Sequence, residues 1–189
     1  MRTGMIFRID DVTSNTNFFD LRAIVKKIHE MFYANVWACI TPFSSPSPEG
    51  AVYPNPPFKL MGKSNFYNVR QFFDPTRQKI GDVTKVSHGL IHADHSSLQF
   101  DAQEMSIATS CKFIGANTFV PPFNKWNQTT EAVCRQHNIR LVKSEEEGWR
   151  SLEHEPFDPS HDLWYFHPWR FDKESFSDAL SLKRPNVPD

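Results

Sequence analysis

The sequence predicts an α/β fold, an open sheet or a barrel, and three observations lead there. Short apolar runs alternate with segments whose apolar residues recur every three or four positions. A length of 189 residues fits one domain, with 39% hydrophobic residues to supply a core. Phe (17) and Trp (5) raise the aromatic share to 14%, and Pro (14) outnumbers Gly (7), which suggests aromatic packing and stiff loops.

Met5 to Ile9 is an apolar run suited to a buried strand. Phe18, Leu21, Ile24, Val25, Ile28, Met31 and Phe32 then follow helical spacing and share one face. Residues 35 to 40 form a second apolar run, so the opening order is strand, helix, strand, as in a parallel βαβ unit. About 41 to 62 carries Pro42, Pro46, Pro48, Pro54, Pro56 and Pro57, a density that admits no regular helix or central strand. A long surface loop is expected there, either a functional lid or an inert insertion. Further on, 83 to 87 reads as a strand, 96 to 113 as a helix and 118 to 120 as a short strand. Asn127 caps a helix to about His137, 139 to 142 is a strand, 163 to 166 the last strand, and Asp172 caps a closing helix to about Leu182. The whole chain, 1 to 189, is expected to be one domain.

Charge narrows the function. Lys and Arg total 21 against 22 Asp and Glu, and no basic run appears, so nucleic acid is not an expected partner. No apolar stretch approaches the roughly 18 residues that cross a bilayer. The first ten residues resemble a strand rather than a signal peptide. Cys39, Cys111 and Cys134 are odd in number and widely spaced, which fits a reduced, cytoplasmic setting better than a disulfide framework.

Three polar groups each follow an expected strand: Arg8-Ile9-Asp10-Asp11, His88-Gly89-Leu90-Ile91-His92, and His167. Ligands collect at the carboxyl ends of strands in α/β sheets, so the three groups are expected on one face. Two His four apart can present both rings to one ion, and a carboxylate completes a set suited to zinc and related divalent metals. Such an ion acidifies water and polarises a carbonyl oxygen. Neighbouring Asp residues in a regular strand point to opposite faces, so Asp10 and Asp11 reach one site only where the pleat ends. One could then ligate and the other accept a proton, while His167 protonates a leaving amine or alcohol. Ordinary turn and core roles are the competing readings for all of these. His95 offers an alternative ligand or a residue just behind the ligands.

The Pro121-Pro122 turn would hold Phe123 and Asn124 at a pocket wall, or simply brace a loop. Trp126, Trp164 and Trp169 could stack on sugar rings or belong to the core, and Arg170 could hold an anionic group. Glu145 to Glu147 reads as a solvated face.

In this order, Asp-Asp, His-x-x-x-His, a Pro-Pro-aromatic turn and a late strand ending in His resemble the polysaccharide deacetylase family, carbohydrate esterase family 4. The resemblance covers about residues 5 to 170: Ile9-Asp10-Asp11-Val12, His88 to His92, Phe119 to Asn124, and Tyr165-Phe166-His167. It implies a distorted, incomplete (β/α) barrel and a metal-dependent hydrolase that removes acetyl or another small acyl group from an N-acylated sugar. By the same resemblance Asp10 is the catalytic base, His167 the general acid, and Asp11, His88 and His92 hold the metal. Zinc is the expected ion, with cobalt, nickel or manganese as alternatives. Pro122, Phe123, Asn124, Trp126, Trp169 and Arg170 are the expected contacts to the amino-sugar or glycan substrate. The resemblance is strongest to members serving surface-polysaccharide (O-antigen) synthesis. Two departures stand out. Val120 occupies the position of an arginine that holds the base, and Val12 replaces a glycine; the fourth motif's Asp and Trp cannot be placed. The Val120 departure motivates the alternative of an inactive domain that binds glycan or a partner enzyme. Arg8 or Arg170 could supply the missing cation.

Overall fold

The structure, a computed structural model, describes residues 4–13, 16–44, 59–60 and 83–181. Its centre is a seven-stranded sheet of parallel strands: β1 (Ile6–Val12), β2 (Asn35–Ile40), β5 (Val83–Ser87), β6 (Thr118–Phe119), β7 (Arg140–Leu141), β8 (Arg150–Ser151) and β9 (Leu163–Phe166). Their spatial order is β7-β6-β5-β2-β1-β9-β8, so β1 and β2 lie in the middle and the two halves of the chain flank them. The sheet curls into an incomplete barrel. A separate antiparallel pair, β3 (Phe43–Ser44) and β4 (Lys59–Leu60), joins the two described ends of the Pro-rich segment. The rest of the expected 41 to 62 loop lies outside the described residues.

Helices α1 (Phe18–Phe32), α2 (Phe100–Ile114), α3 (Gln128–Gln136), α4 (Ser144–Glu147) and α5 (Lys173–Ser181) complete the described architecture. Local chemistry sets their ends. Asn17 accepts the Phe19 N–H, and Tyr33 closes α1 in the left-handed region. Asn127 and Thr130 form a reciprocal capping box on α3. Gly115, at φ 69°, ends α2. Ser175 N–H donates to Asp172 Oδ1 at 2.7 Å and starts α5.

The sequence expectation of one helix from 96 to 113 divides in two. Asp94 accepts the Ser96 N–H at 3.0 Å and caps a short 3₁₀ turn, His95–Ser97, before α2 begins at Phe100. An aspartate so placed satisfies the first donors of its own turn and closes it early.

Alternation along the strands separates two environments. Phe7 and Ile9 of β1, Val36, Ala38 and Ile40 of β2, and Trp164 and Phe166 of β9 pack with Leu21, Ile24, Val25 and Ile28 of α1 and Phe176 and Leu180 of α5. On the opposite, concave face, Cys39, Val86, Val120, Val142 and Trp149 form a second cluster, with Ile6, Trp37, Leu163 and Tyr165 against it. Ile107 of α2, Phe119, and Val133 and Cys134 of α3 form a third. All three cysteines are free and buried. No helix among the described residues is long and apolar enough to cross a membrane.

Phe176 is fully buried and its ring lies 5.0 Å from Phe166 and 5.8 Å from Phe171. Phe176→Ala is expected to cost about 3–5 kcal/mol, since the lost transfer energy adds to a cavity that packed strands fill poorly. The urea midpoint of unfolding measures this, and the last helix detaches first.

Candidate metal centre

The site begins with an irregularity in β1. Ile9 pairs with Ala38 and Val12 with Ile40, so three steps on β1 match two on β2. One extra residue is therefore accommodated as a bulge. Val12 consequently faces the same helix-covered side as Ile9, where strict alternation would turn it inward. Asp11 lies inside this bulge with φ at 54°, a left-handed conformation that costs energy for a residue with a Cβ. The result is that Asp10 and Asp11, adjacent in sequence, both serve the site at the carboxyl ends of the strands.

Three side chains meet there. His88 Nε2 and His92 Nε2 each lie 2.9 Å from Asp11 Oδ1. Among the described residues, these are the only three His, Cys, Asp or Glu whose ligand atoms group within 4.8 Å of one another. His88 Nδ1 is 2.8 Å from the Val120 carbonyl. A carbonyl only accepts, so Nδ1 carries the proton and a neutral His88 ring presents the Nε2 lone pair to the carboxylate. Two electron-rich atoms at that distance repel unless a proton or a cation lies between them. Asp11 Oδ1 is buried and makes no hydrogen bond of acceptable geometry among the described residues. An orphaned carboxylate oxygen beside an oriented imidazole lone pair is what a divalent cation would satisfy, and the donor set of two imidazoles and one carboxylate suits zinc. Burial pushes the Asp11 carboxyl up, but His88 and His92 outweigh it and hold the group far below the usual carboxylate range.

Gly89 and His95 support the ligand loop from behind. Gly89 has φ 86°, and a Cβ there would lie 2.6 Å from His95 Cε1. His95 is fully buried, with Nδ1 2.9 Å from the Ala93 carbonyl and Nε2 2.8 Å from Ser106 Oγ. Both its nitrogens are therefore engaged away from the ligand group, and Ser106 Oγ also accepts the Leu90 N–H.

Beside the three ligands, Asp10 is clamped by Arg8. Arg8 Nε and Nη2 donate to Asp10 Oδ1 and Oδ2, both at 2.8 Å. Arg8 Nη1 donates to Ser144 Oγ at 2.7 Å, and Nη2 also reaches Asn124 Oδ1 at 3.2 Å. The guanidinium lies 4.7 Å from the Trp149 ring centroid and 4.8 Å from that of Tyr165, between two aromatic faces. Burial pushes the Asp10 carboxyl up, yet the Arg8 guanidinium above all holds it below its ordinary value. The cation absent at Val120 is thus present in the fold, two residues before the carboxylate that it serves.

His167 lies across from Asp10. Its Nδ1 and its backbone N–H both contact Glu153 Oε1 at 2.7 Å, and its Nε2 lies 3.9 Å from Asp11 Oδ2. Burial lowers the basicity of the ring, but Glu153, Asp10 and Asp11 raise it more, so the protonated form is favoured. Glu153 and Trp149 are functional-looking neighbours with no sequence signal of their own. Both flank β8, just beyond the run Glu145 to Glu147. That stretch, expected as a solvated face, forms α4, whose buried Ser144 meets Arg8.

The expected substrate contacts have mixed placements. Phe123, at φ 58°, packs on His92 at 4.5 Å, and Trp169 packs on His167 at 4.6 Å; they are 43% and 39% exposed, so each is an open ring at the rim. Pro122 is buried. Asn124 turns its carbonyl oxygen toward Arg8 and Ser144. Trp126 lies under the Lys143 ammonium at 3.9 Å, and exposed Arg170 is 3.8 Å from Glu153. Trp164 is fully buried on the helix-covered side.

Solved structures share this fold. A carbohydrate esterase family 4 pseudoenzyme from Bacillus anthracis is similar over 96% of this chain and 60% of its own, with 10% identity and a TM-score of 0.60. A family 4 carbohydrate esterase from Streptomyces lividans, solved with acetate, matches 95% of this chain and 88% of its own at 10% identity and TM-score 0.56. A peptidoglycan deacetylase from Bacillus subtilis matches 95% and 82%, at 10% identity and TM-score 0.57. The chain therefore spans less than two thirds of the pseudoenzyme and most of the other two. No family model and no curated protein matches the sequence. The fold is the distorted (β/α) barrel of the deacetylases that the motifs resemble.

Two outcomes follow from these buried charges. Arg8→Met leaves Asp10 buried without its cation and is expected to cost about 3–5 kcal/mol; adding Asp10→Asn recovers most of it in a double-mutant cycle. His95 is pushed by burial from 6.5 down to about 4. The unfolded chain thus binds the proton first, so the stability from neutral His95 is complete above about pH 6.5 and is lost as pH falls toward 4. That loss is on the order of 3 kcal/mol. His95→Gln is expected to flatten the fall, read from urea midpoints across that range.

Proposed function

We propose that the chain is a metal-dependent hydrolase that removes an acetyl or other small acyl group from an N-acylated sugar. The observation that carries this reading is the convergence of Asp11, His88 and His92 on one point, with Asp10 and His167 on either side. An ion held by those three, zinc by the chemistry of the donors, supplies Lewis acidity toward the acyl carbonyl and the attacking water. Asp10 is ionised at neutral pH and, fixed by both arms of Arg8, takes the proton from water. His167 is held by Glu153 at Nδ1 and so presents Nε2 toward the site, from which it protonates the departing nitrogen. Phe123 and Trp169 offer flat apolar faces to the sugar ring. The fold's kinship with deacetylases of bacterial glycans supports a role in surface-polysaccharide synthesis. The buried free thiols support a reducing, cytoplasmic setting.

A second reading is a domain with the fold and no turnover, which binds glycan or a partner enzyme. Two observations favour it: Val120 at the arginine position, and the similarity to a pseudoenzyme. The Arg8–Asp10 clamp favours the active reading, because the base retains its cation.

Chelation is expected to abolish acetate release from an N-acetylated amino sugar, and added zinc to restore it. Asp11→Ala or His92→Ala is expected to lose metal to below a tenth of stoichiometric, measured by elemental analysis. Metal retained in full by both variants overturns the ligand assignment. A stoichiometric ion with no acetate release, while sugar still binds, establishes the second reading.

A further inference from the structure

Thr41 is fully buried and its hydroxyl oxygen has no hydrogen-bond partner among the described residues. An unpaired buried hydroxyl destabilises a fold, and a valine of the same shape would avoid that penalty. The position of Thr41 accounts for it. Strand β2 lies between β1 and β5. At its carboxyl end Ile40 pairs with Val12 on one side and Ser87 on the other. The ladder continues one step further: Thr41 N–H donates to the Val12 carbonyl at 3.0 Å, and His88 N–H donates to the Ile40 carbonyl at 3.0 Å. Asp11 from β1 and His88 from β5 therefore meet across the end of β2, where Thr41 stands.

Direction follows from alternation. Cys39 belongs to the concave face and Ile40 to the helix-covered face. Thr41, two residues beyond Cys39, then returns to the concave side. Two buried oxygens without partners, Asp11 Oδ1 and Thr41 Oγ1, thus lie on neighbouring strands at the same edge. The first is accounted for by a cation. The second remains.

We propose that Thr41 is a positioning residue of the metal centre: its hydroxyl hydrogen-bonds to an oxygen ligand that the ion takes up from solvent or substrate. The inference rests on the metal reading above. Outer contacts of this kind change metal affinity about 10–100-fold when removed. Among the described residues the hydroxyl meets no protein acceptor, so exchanging it for a methyl group is expected to leave the apoprotein uninjured.

The test uses the full chain stripped of metal, titrated with cobalt(II) and followed by its visible absorption, alongside thermal unfolding of the apo form. Thr41→Val is expected to unfold at the same or a higher temperature than wild type and to bind cobalt about tenfold more weakly. Thr41→Ser, which keeps the hydroxyl, is expected to bind within twofold of wild type. Opposite signs in stability and affinity are the signature, because a purely structural hydroxyl would lower stability when removed. Cobalt affinity of Thr41→Val within twofold of wild type overturns the proposal. So does a lower unfolding temperature for both Thr41→Val and Thr41→Ala, or failure of both to fold. Wild-type protein that binds no cobalt overturns the metal reading itself, a result distinct from normal binding by wild type and Thr41→Val alike.

Discussion

A single extra residue in the central strand governs this site. A parallel strand shows alternate side chains to opposite faces, and adjacent aspartates in it would be separated by the whole sheet. The bulge between Ile9 and Val12, with Asp11 at positive φ, removes that separation. Asp10 keeps the concave direction of Arg8, while Asp11 is turned toward His88 and His92, which follow β5 on the far side of β2. The strain stored at Asp11 is offset by the contacts around it. Val12 returns to the helix-packed core, which pins the far side of the bulge.

Charge is the second constraint. Asp10, Asp11 and Glu153 are at most one-tenth exposed at their side chains, and a buried carboxylate without a partner is costly. Arg8 answers Asp10 with a bidentate contact, and His167 answers Glu153. Asp11 alone is left to two imidazoles, one of which has its proton on the far nitrogen. The arrangement is thus complete in two places, while the third offers a donor set that a divalent ion would satisfy. Arg8 itself needs support, and Trp149, Tyr165, Ser144 and Asn124 surround it from three different stretches of chain.

Much of the fold was legible locally. Helical spacing from Phe18 to Phe32 and the caps at Asn127 and Asp172 correspond to observed helices, because each depends on neighbours within a few residues. The strands 35 to 40 and 163 to 166 were equally plain as apolar runs, and 83 to 87 as an alternating one. Strand β8 and helix α4 were not legible, since two paired residues and a run of glutamates carry no periodicity. The Asp94 cap likewise split an expected helix by a contact that competes with helical hydrogen bonding.

The sequence by itself determined which chemistry was on offer. Carboxylates and imidazoles each followed an apolar run, and in a parallel sheet such positions share one edge whatever the order of the strands. Tertiary structure alone decided the partners. Arg8 meets Asp10 because residues two apart on a strand share a face, but its second arm reaches Ser144, 136 residues away. Glu153 orients His167 because β8 pairs with β9. Thr41 stands at the strand end between Asp11 and His88 because β2 separates β1 from β5. Composition and spacing act over a few residues, whereas strand order is set by how the whole chain buries its apolar faces, and that order chose which polar atoms would meet.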